Sequence, residues 1–126
     1  MSVLVVAEEP ELLSFFARIL DSDGMRALLA RTTEQAVGIA KLGDIPIDLV
    51  LIDVLLSGME LVERIRKLRP EIRALFMSAK VESAMIRIEF LDRWLRTWSP
   101  DSAGGGLIES IRAAAAAPRF HGVGGG

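Results

Sequence analysis

The chain has 126 residues, of which 51% are hydrophobic and 25% charged, and its formal net charge is −2. This length and balance predict one globular domain with a single core, and the small charge gives no electrostatic case for binding nucleic acid or an anionic membrane. The lack of cysteine excludes a disulfide framework and thiol chemistry. No apolar run approaches the roughly 20 residues of a membrane span, and the N-terminus lacks a signal-peptide layout, so we expect a cytoplasmic protein.

The predicted elements alternate between strand and helix along the chain. Short runs rich in Val, Leu and Ile predict strands, and apolar residues at three- and four-residue steps predict helices. In chain order the pattern predicts a strand at 3–7, a helix at 11–20, a strand at 25–30, a helix from 32 to near 43, a strand at 47–53, a helix at 60–68, a strand at 72–78, a helix at 83–92, a strand at 94–98 and a helix at 107–117.

Local signals predict where several helices begin and end. The run Asp21-Ser22-Asp23-Gly24 stops the first helix. Thr32 and Gln35 have the spacing of a capping box at the start of the second. Ser57 and Glu60 have the same spacing, which indicates that the third helix begins before residue 60.

Buried strands that alternate with amphipathic helices imply a parallel sheet with helices on both faces. Because crossovers are right-handed, few topologies remain. We predict an α/β fold, a flavodoxin-like (βα)5 doubly wound sandwich with a parallel five-stranded sheet of order 2-1-3-4-5. Residues 1–120 are predicted to form this domain, and residues 121–126, which include the single histidine His121, a flexible glycine-rich tail.

Two predicted strands end in acidic residues. The first runs into Glu8-Glu9-Pro10, and the third ends at Asp53. In the predicted order these strands are neighbours at the switch point, where open α/β sheets place their chemistry. Clustered carboxylates at such an edge are ligands for a hard cation such as Mg²⁺.

Four segments in this order and spacing resemble the receiver domains of two-component response regulators. Residues 3–10 resemble the opening of that family, and residues 48–53 followed by Ser57-Gly58-Met59 resemble its phosphoacceptor strand and loop. Residues 75–79 resemble its fourth strand with a switch hydroxyl, and residues 95–101 the segment that usually holds a Lys-Pro pair. The resemblance spans residue 3 to about residue 117.

The resemblance implies a role for each matching residue. Asp53 matches the phosphoacceptor, Ser78 the switch hydroxyl and Arg96 the conserved lysine. Glu8, Asp53 and the backbone carbonyl of Leu55 match ligands of Mg²⁺. The implied function is to accept a phosphoryl group on Asp53 from a histidine kinase or phosphotransfer protein, which is not the activity of an enzyme in the usual sense.

Several positions depart from the family pattern. Ala7 stands in place of the first acid of the usual pair, and the lysine is replaced by Arg96, a wider planar cation. Thr97 replaces the usual proline, Ser57 replaces the loop proline, and about three residues are missing after Met59. We therefore expect weak or absent Mg²⁺ binding and impaired phosphochemistry.

Two other functions stay open at this point. A pseudo-receiver would act as a protein-interaction module without phosphorylation. A small flavodoxin-like enzyme or nucleotide binder is disfavoured, because Glu8-Glu9 stands where such a protein needs a phosphate-binding loop.

Purely structural roles also remain for the site residues. Asp53 and Ser78 can simply be polar residues at the ends of strands. Glu8 can interact favourably with the dipole of the first helix, and Arg96 can be an exposed charge on an edge strand.

A partner surface is predicted on the face formed by the fourth helix, fifth strand and last helix. It includes Trp94 or Trp98 in a chain without tyrosine, and exposed aromatic residues often mark interfaces. A homodimer through this face is one expectation. The alternative is that both indoles are buried in the core.

Overall fold

In the computed structural model of this protein, residues 1–53, 58–82, 85–91 and 106–116 are described. Strands and helices alternate over the first two thirds of the chain, as predicted. The elements are β1 (Ser2–Val6), α1 (Pro10–Ser22), β2 (Arg26–Ala30), α2 (Thr33–Ala40), β3 (Leu49–Asp53), α3 (Gly58–Leu68), β4 (Ala74–Glu82), β5 (Met85–Leu91) and α4 (Gly106–Ala116).

The strands form one sheet in the order β2-β1-β3-β4-β5. The first four strands of this order pair in parallel, which confirms the flavodoxin-like arrangement predicted from the sequence. Val6 lies opposite Ile52, and Asp53 lies opposite Met77. The register therefore brings the carboxyl ends of β1 and β3 level with Met77 of β4, which continues to Glu82.

Apolar clusters cover both faces of the sheet, and β1 and β3 are therefore buried at every residue. Successive strand residues point to opposite faces, and each set meets a different pair of helices. One cluster joins the sheet to α1 and α4, and it includes Val5, Leu51, Met77, Phe16 and Ile111. The other joins it to α2 and α3, and it includes Leu4, Ile52, Phe76, Val37 and Ile65.

The helix predicted at residues 83–92 is wrong, since Met85–Leu91 forms the strand β5. It pairs antiparallel with β4, from Glu82 opposite Met85 to Phe76 opposite Leu91. The sequence of β5 alternates apolar and charged residues through Ile86-Arg87-Ile88-Glu89-Phe90, which is the period of a strand. β-Branched and aromatic residues also favour that state. The fifth strand of the sheet is thus antiparallel, and the strand predicted at 94–98 lies outside the described residues.

The end of α1 has the geometry of a Schellman motif. Met25 N–H donates to the Leu20 carbonyl at 2.8 Å, and Gly24 N–H donates to the Asp21 carbonyl at 3.0 Å. Gly24 has φ +78°, the left-handed conformation that side chains disfavour. Leu20 and Met25 are both buried in the same cluster, so the turn also supplies apolar contact surface.

The predicted capping box at the start of α2 is present with a one-residue variation. The Thr32 hydroxyl accepts a hydrogen bond from Gln35 N–H at 3.1 Å. The Gln35 side chain reaches back past Thr32 and accepts from Arg31 N–H at 2.7 Å. Both ends of the turn that leads from β2 into α2 are therefore fixed.

Arginine side chains connect the helices to one another. Arg64 on α3 pairs with Glu34 on α2 at 3.0 Å, and its hydrogen bond and positive charge lower the pKa of Glu34. Arg69 donates to the carbonyls of Ala40 at 3.1 Å and Leu42 at 2.8 Å, which closes the C-terminal end of α2. Arg112 pairs with Asp23 and so joins α4 to the end of α1.

We predict opposite stability changes for two glycine-to-alanine substitutions. Gly24→Ala should lower the free energy of unfolding by about 1–2 kcal/mol, because an L-residue is strained in the left-handed conformation. Gly38→Ala, within α2, should raise it by about 0.5–1 kcal/mol, because alanine favours the helix. A Cβ atom meets no heavy atom within 4 Å at either position, so packing does not obscure the comparison. Urea denaturation of the two variants measures both effects, and a loss of stability in both would contradict this account.

Candidate functional site

The carboxyl edge of the sheet gathers the predicted site residues that the structure describes. Asp53 ends β3, Glu8 follows β1 after one intervening residue, and Ser78 follows Met77, the partner of Asp53 on β4. Neighbouring strands lie about 4.8 Å apart, so Glu8 and Asp53 stand at adjacent strand ends, and Ser78 lies beside them within β4, which continues to Glu82. The sequence prediction that Glu8 and Asp53 lie at neighbouring strand ends is consistent with this register.

Asp53 is 3% exposed, and it is the one buried charged residue over residues 1–53, 60–78, 108–109 and 111–116. Burying a carboxylate is costly unless the surroundings compensate it. The other buried polar residue in that part is Ser2. Its N–H donates to Asp48 Oδ2 at 2.7 Å, and its carbonyl accepts a hydrogen bond from Asp48 N–H at 2.8 Å. Ser2 and Asp48 close the amino end of the sheet. Asp53, at the opposite end, lies where parallel sheets place reactive groups.

Glu8 is exposed and precedes α1 rather than belonging to it. The N-cap of α1 is Glu9, whose side chain makes no capping hydrogen bond, and the acid of the first turn is Glu11. A helix-dipole role therefore fits Glu11 better than Glu8. The backbone carbonyl of Glu8 accepts a hydrogen bond from Arg31 Nε at 3.2 Å.

Ala7 takes the position beside Asp53 on the neighbouring strand. Val6 is opposite Ile52, so Ala7 and Asp53 are the next residues along each chain. Ala7 is fully buried in the cluster beneath α1 and α4, and its N–H donates to the Ala30 carbonyl at 3.1 Å. A methyl group thus stands at the position of the first acid of the family's usual pair, as the sequence comparison indicated.

The donor set fits Mg²⁺ only in part. Asp53 and Glu8 offer the carboxylate oxygens that this ion prefers, and Mg²⁺ keeps several waters. Ala7 offers no ligand, and the carbonyl of Leu55 lies outside the described residues. Over residues 1–53, 58–82, 85–91 and 106–116, no three His, Cys, Asp or Glu side chains cluster as a metal site would need.

Ser78 is half-buried on β4 and lies opposite Glu89 of β5. The other predicted residues, Arg96, Trp94 and Trp98, lie outside the described residues, as does Ser57. The predicted partner face was drawn around a helix at 83–92, and that helix is the strand β5. This part of the predicted face is therefore an antiparallel edge of the sheet.

Arg31 lies near Glu8, at the carboxyl ends of the parallel strands, and the sequence analysis missed it. It directly follows the last residue of β2, Ala30, and its guanidinium reaches the loop after β1. The available signal was that a basic residue directly follows the apolar run of β2, while acidic residues follow the apolar run of β1. Only the strand order, with β2 next to β1, brings the two ends together.

None of the helices among the described residues is both long enough and apolar enough to cross a membrane.

Comparison with solved structures finds receiver domains repeatedly. The receiver domain of the hybrid histidine kinase CckA is 29% identical with a TM-score of 0.56, over 60% of this chain and 73% of that one. The response regulator TrrA in complex with the histidine kinase ThkA is matched at 25% identity and TM-score 0.52, over 67% of this chain and 73% of the other. Other matched response regulator structures are covered over less than two thirds of their own length.

A more extensive match shows likeness of fold alone. The N-terminal domain of a response regulator/sensory box/GGDEF three-domain protein from Carboxydothermus hydrogenoformans is 22% identical with a TM-score of 0.65. That match covers 91% of this chain and 94% of the other. The search of curated protein sequences gave no significant match.

The family comparison is decisive, because it extends over most of the strands and helices described above. Residues 3–92, which include Glu8, Asp53 and Ser78, match the family described as "Response regulator receiver domain". This protein therefore belongs to the response regulator receiver domain family.

Proposed function

We propose that Asp53 accepts a phosphoryl group from a histidine kinase or a phosphotransfer protein. The observation that carries the proposal is the buried carboxylate at the carboxyl end of the central strand β3. A related response regulator, TrrA, has been solved in complex with a histidine kinase. Within this proposal the domain is a phosphoryl carrier that modifies its own side chain rather than an enzyme that turns over a substrate.

In the proposed reaction an Asp53 oxygen forms a bond to phosphorus while the bond from phosphorus to the donor's nitrogen breaks. The electron pair of that bond leaves with the nitrogen. Burial of Asp53 restricts access of water to the acyl phosphate. The Ser78 hydroxyl donates a hydrogen bond to a phosphoryl oxygen. The positive charge of Arg96 stabilises the negative charge that develops on the phosphoryl oxygens during transfer.

Glu8 and Asp53, with the Leu55 carbonyl, are the proposed ligands of Mg²⁺. The ion, when bound, neutralises charge on the phosphoryl oxygens during transfer. Because Ala7 removes one carboxylate from the set, we propose that Mg²⁺ is held weakly and that transfer is slower than in receivers with both acids.

A specific observation also favours the pseudo-receiver as a second candidate. Ala7 is not merely neutral but fully buried among apolar residues, so the packing around Asp53 is that of a core. In a pseudo-receiver the fold would serve only to bind a partner. Labelling of Asp53 distinguishes the two functions.

We predict that a small phosphodonor such as acetyl phosphate, with Mg²⁺, adds one phosphoryl group to the protein, and that Asp53→Asn abolishes it. The matched control is Asp48→Asn, which changes an exposed aspartate just before the same strand. The amide can still accept the Ser2 hydrogen bond, so the control should fold and be labelled normally. Intact-protein mass spectrometry measures the labelling. Undiminished labelling of the Asp53 variant would refute the assignment, and an unlabelled wild type would favour the pseudo-receiver.

We also predict that Mg²⁺ stabilises Ala7→Asp far more than the wild type. The substitution adds a carboxylate beside Asp53, which repels it in the absence of metal and becomes a ligand in its presence. At a Mg²⁺ concentration 100 times the dissociation constant, binding adds about 2.7 kcal/mol to the free energy of unfolding. Thermal or urea unfolding with and without Mg²⁺ measures this difference.

The control for added charge is Ala113→Asp, at an exposed position of α4. Its response to Mg²⁺ should equal that of the wild type. Low-micromolar Mg²⁺ binding by the wild type would show that Ala7 does not weaken the site, and an unresponsive Ala7→Asp variant would place the metal elsewhere.

A further inference from the structure

The rim of the carboxyl edge carries a fixed positive charge at Arg31, which no role above uses. Its backbone N–H is bonded to the Gln35 side chain at 2.7 Å, and its Nε is bonded to the Glu8 carbonyl at 3.2 Å. The first bond fixes the main chain at the start of α2. The second uses one of the five guanidinium N–H groups and leaves four for other acceptors.

Among the described residues, no neighbouring carboxylate neutralises the charge of Arg31. The residue is exposed, and no ion pair within the described ranges includes it. Glu34, three residues further along in the first turn of α2, is paired instead with Arg64 at 3.0 Å. Glu8 meets Arg31 through its carbonyl oxygen and not through its carboxylate.

The guanidinium is displaced towards the strand of Asp53. The order β2-β1-β3 puts one strand between the strand that precedes Arg31 and the one that ends in Asp53, a separation of roughly 10 Å. The bond to Glu8 draws Nε over the loop that follows this intervening strand. This loop follows the strand next to β3, about 4.8 Å away sideways. The Debye length is about 10 Å at 0.1 M salt, so a charge held over this loop acts on an anion that approaches the end of β3.

We propose that Arg31 is an anion-binding residue that holds the phosphoryl group of an incoming donor beside Asp53. The inference rests on the proposed function and adds a residue to it. The ligand chemistry is a dianionic phosphoryl group carried on an acyl oxygen or on nitrogen. Planar guanidinium groups bind phosphoryl oxygens with paired hydrogen bonds. In a site where Ala7 has removed a metal ligand, this cation supplies part of the missing positive charge.

Two kinds of small donor can transfer a phosphoryl group to Asp53, and they differ in the bond that breaks and in the group that leaves. With acetyl phosphate, an Asp53 oxygen bonds to phosphorus and acetate leaves with the electron pair of the broken P–O bond. With phosphoramidate, ammonia leaves with the electron pair of the P–N bond, as the imidazole would from a phosphohistidine. Arg31 forms no covalent bond in either case, and its part in the transfer is to bind the phosphoryl oxygens of the donor.

The test measures the rate of Asp53 labelling against donor concentration for Arg31→Gln, Arg31→Lys and Arg26→Gln. Arg26 is an exposed arginine at the other end of the same strand, so it is matched in charge and distant from the site. Arg31→Gln should raise the half-saturating concentration of both donors by about threefold to tenfold. Arg31→Lys should recover much of this loss, and Arg26→Gln should match the wild type.

Ionic strength provides a second measurement. The wild-type rate at low donor concentration should fall as salt is raised, because screening weakens the attraction. Arg31→Gln should reduce this dependence, whereas Arg26→Gln should not. If Arg31 only anchors the loop through its Nε bond, the Lys and Gln variants will be equally impaired, and that result overturns the proposal.

Titration with inorganic phosphate separates this inference from the proposed function. In the unreactive Asp53→Asn variant, the Arg31 Nε–H resonance should shift as phosphate is added. A shift without any labelling of the wild type would contradict phosphoryl acceptance and leave the anion site. Labelling that Arg31→Gln leaves unchanged, with no shift, would contradict the role of Arg31 alone. If the wild type is not labelled and the Arg31 resonance does not shift, phosphoryl acceptance by Asp53 and anion binding by Arg31 are both contradicted.

Discussion

The parallel pairing of β1 with β3 is the constraint on which the rest of the structure depends. Both strands are buried at every residue, so each backbone group must find a partner within the sheet. The register from Val3 opposite Leu49 to Val6 opposite Ile52 satisfies this requirement. The same register fixes which residues come next on each chain, namely Ala7 and Asp53. Site geometry is therefore a direct consequence of core formation.

Ala7 changes both the electrostatics and the packing of this edge. Two carboxylates on adjacent strand ends would repel each other unless a cation lay between them. With alanine there, the apolar cluster of α1 and α4 extends up to the last residues of β1. Asp53 thus remains buried with one fewer like charge beside it, at the cost of a metal ligand. Stability of the edge and affinity for a divalent cation are opposed at this position.

The β4–β5 pair gives the site an unusual neighbour for its fold. Residues 74–77 of β4 pair with β3, while the pairing with β5 continues to Glu82. Ser78 is therefore the first residue of β4 past the end of the β3 ladder, and its partner in the other direction is Glu89. Any displacement of Ser78 acts on an antiparallel strand pair rather than on a parallel strand reached through a helix.

Local sequence determined much of this protein. The apolar runs that became β1 and β3, the glycine that ends α1 and the Thr32–Gln35 pair at α2 were all predicted, because each depends on residues within one element or turn. Asp53 and Glu8 were assigned to one edge because parallel strands of known order must end together. The segment at 83–92 was assigned wrongly, because a short run of Ile, Arg and Phe suits a helix or a strand until a partner strand is present. The antiparallel pairing with β4, the burial of Ala7 beside Asp53 and the bond from Arg31 to the Glu8 carbonyl were decided only by tertiary structure. Each joins residues that are far apart in the chain or on different elements, and no local pattern specifies which distant backbone group will be the neighbour.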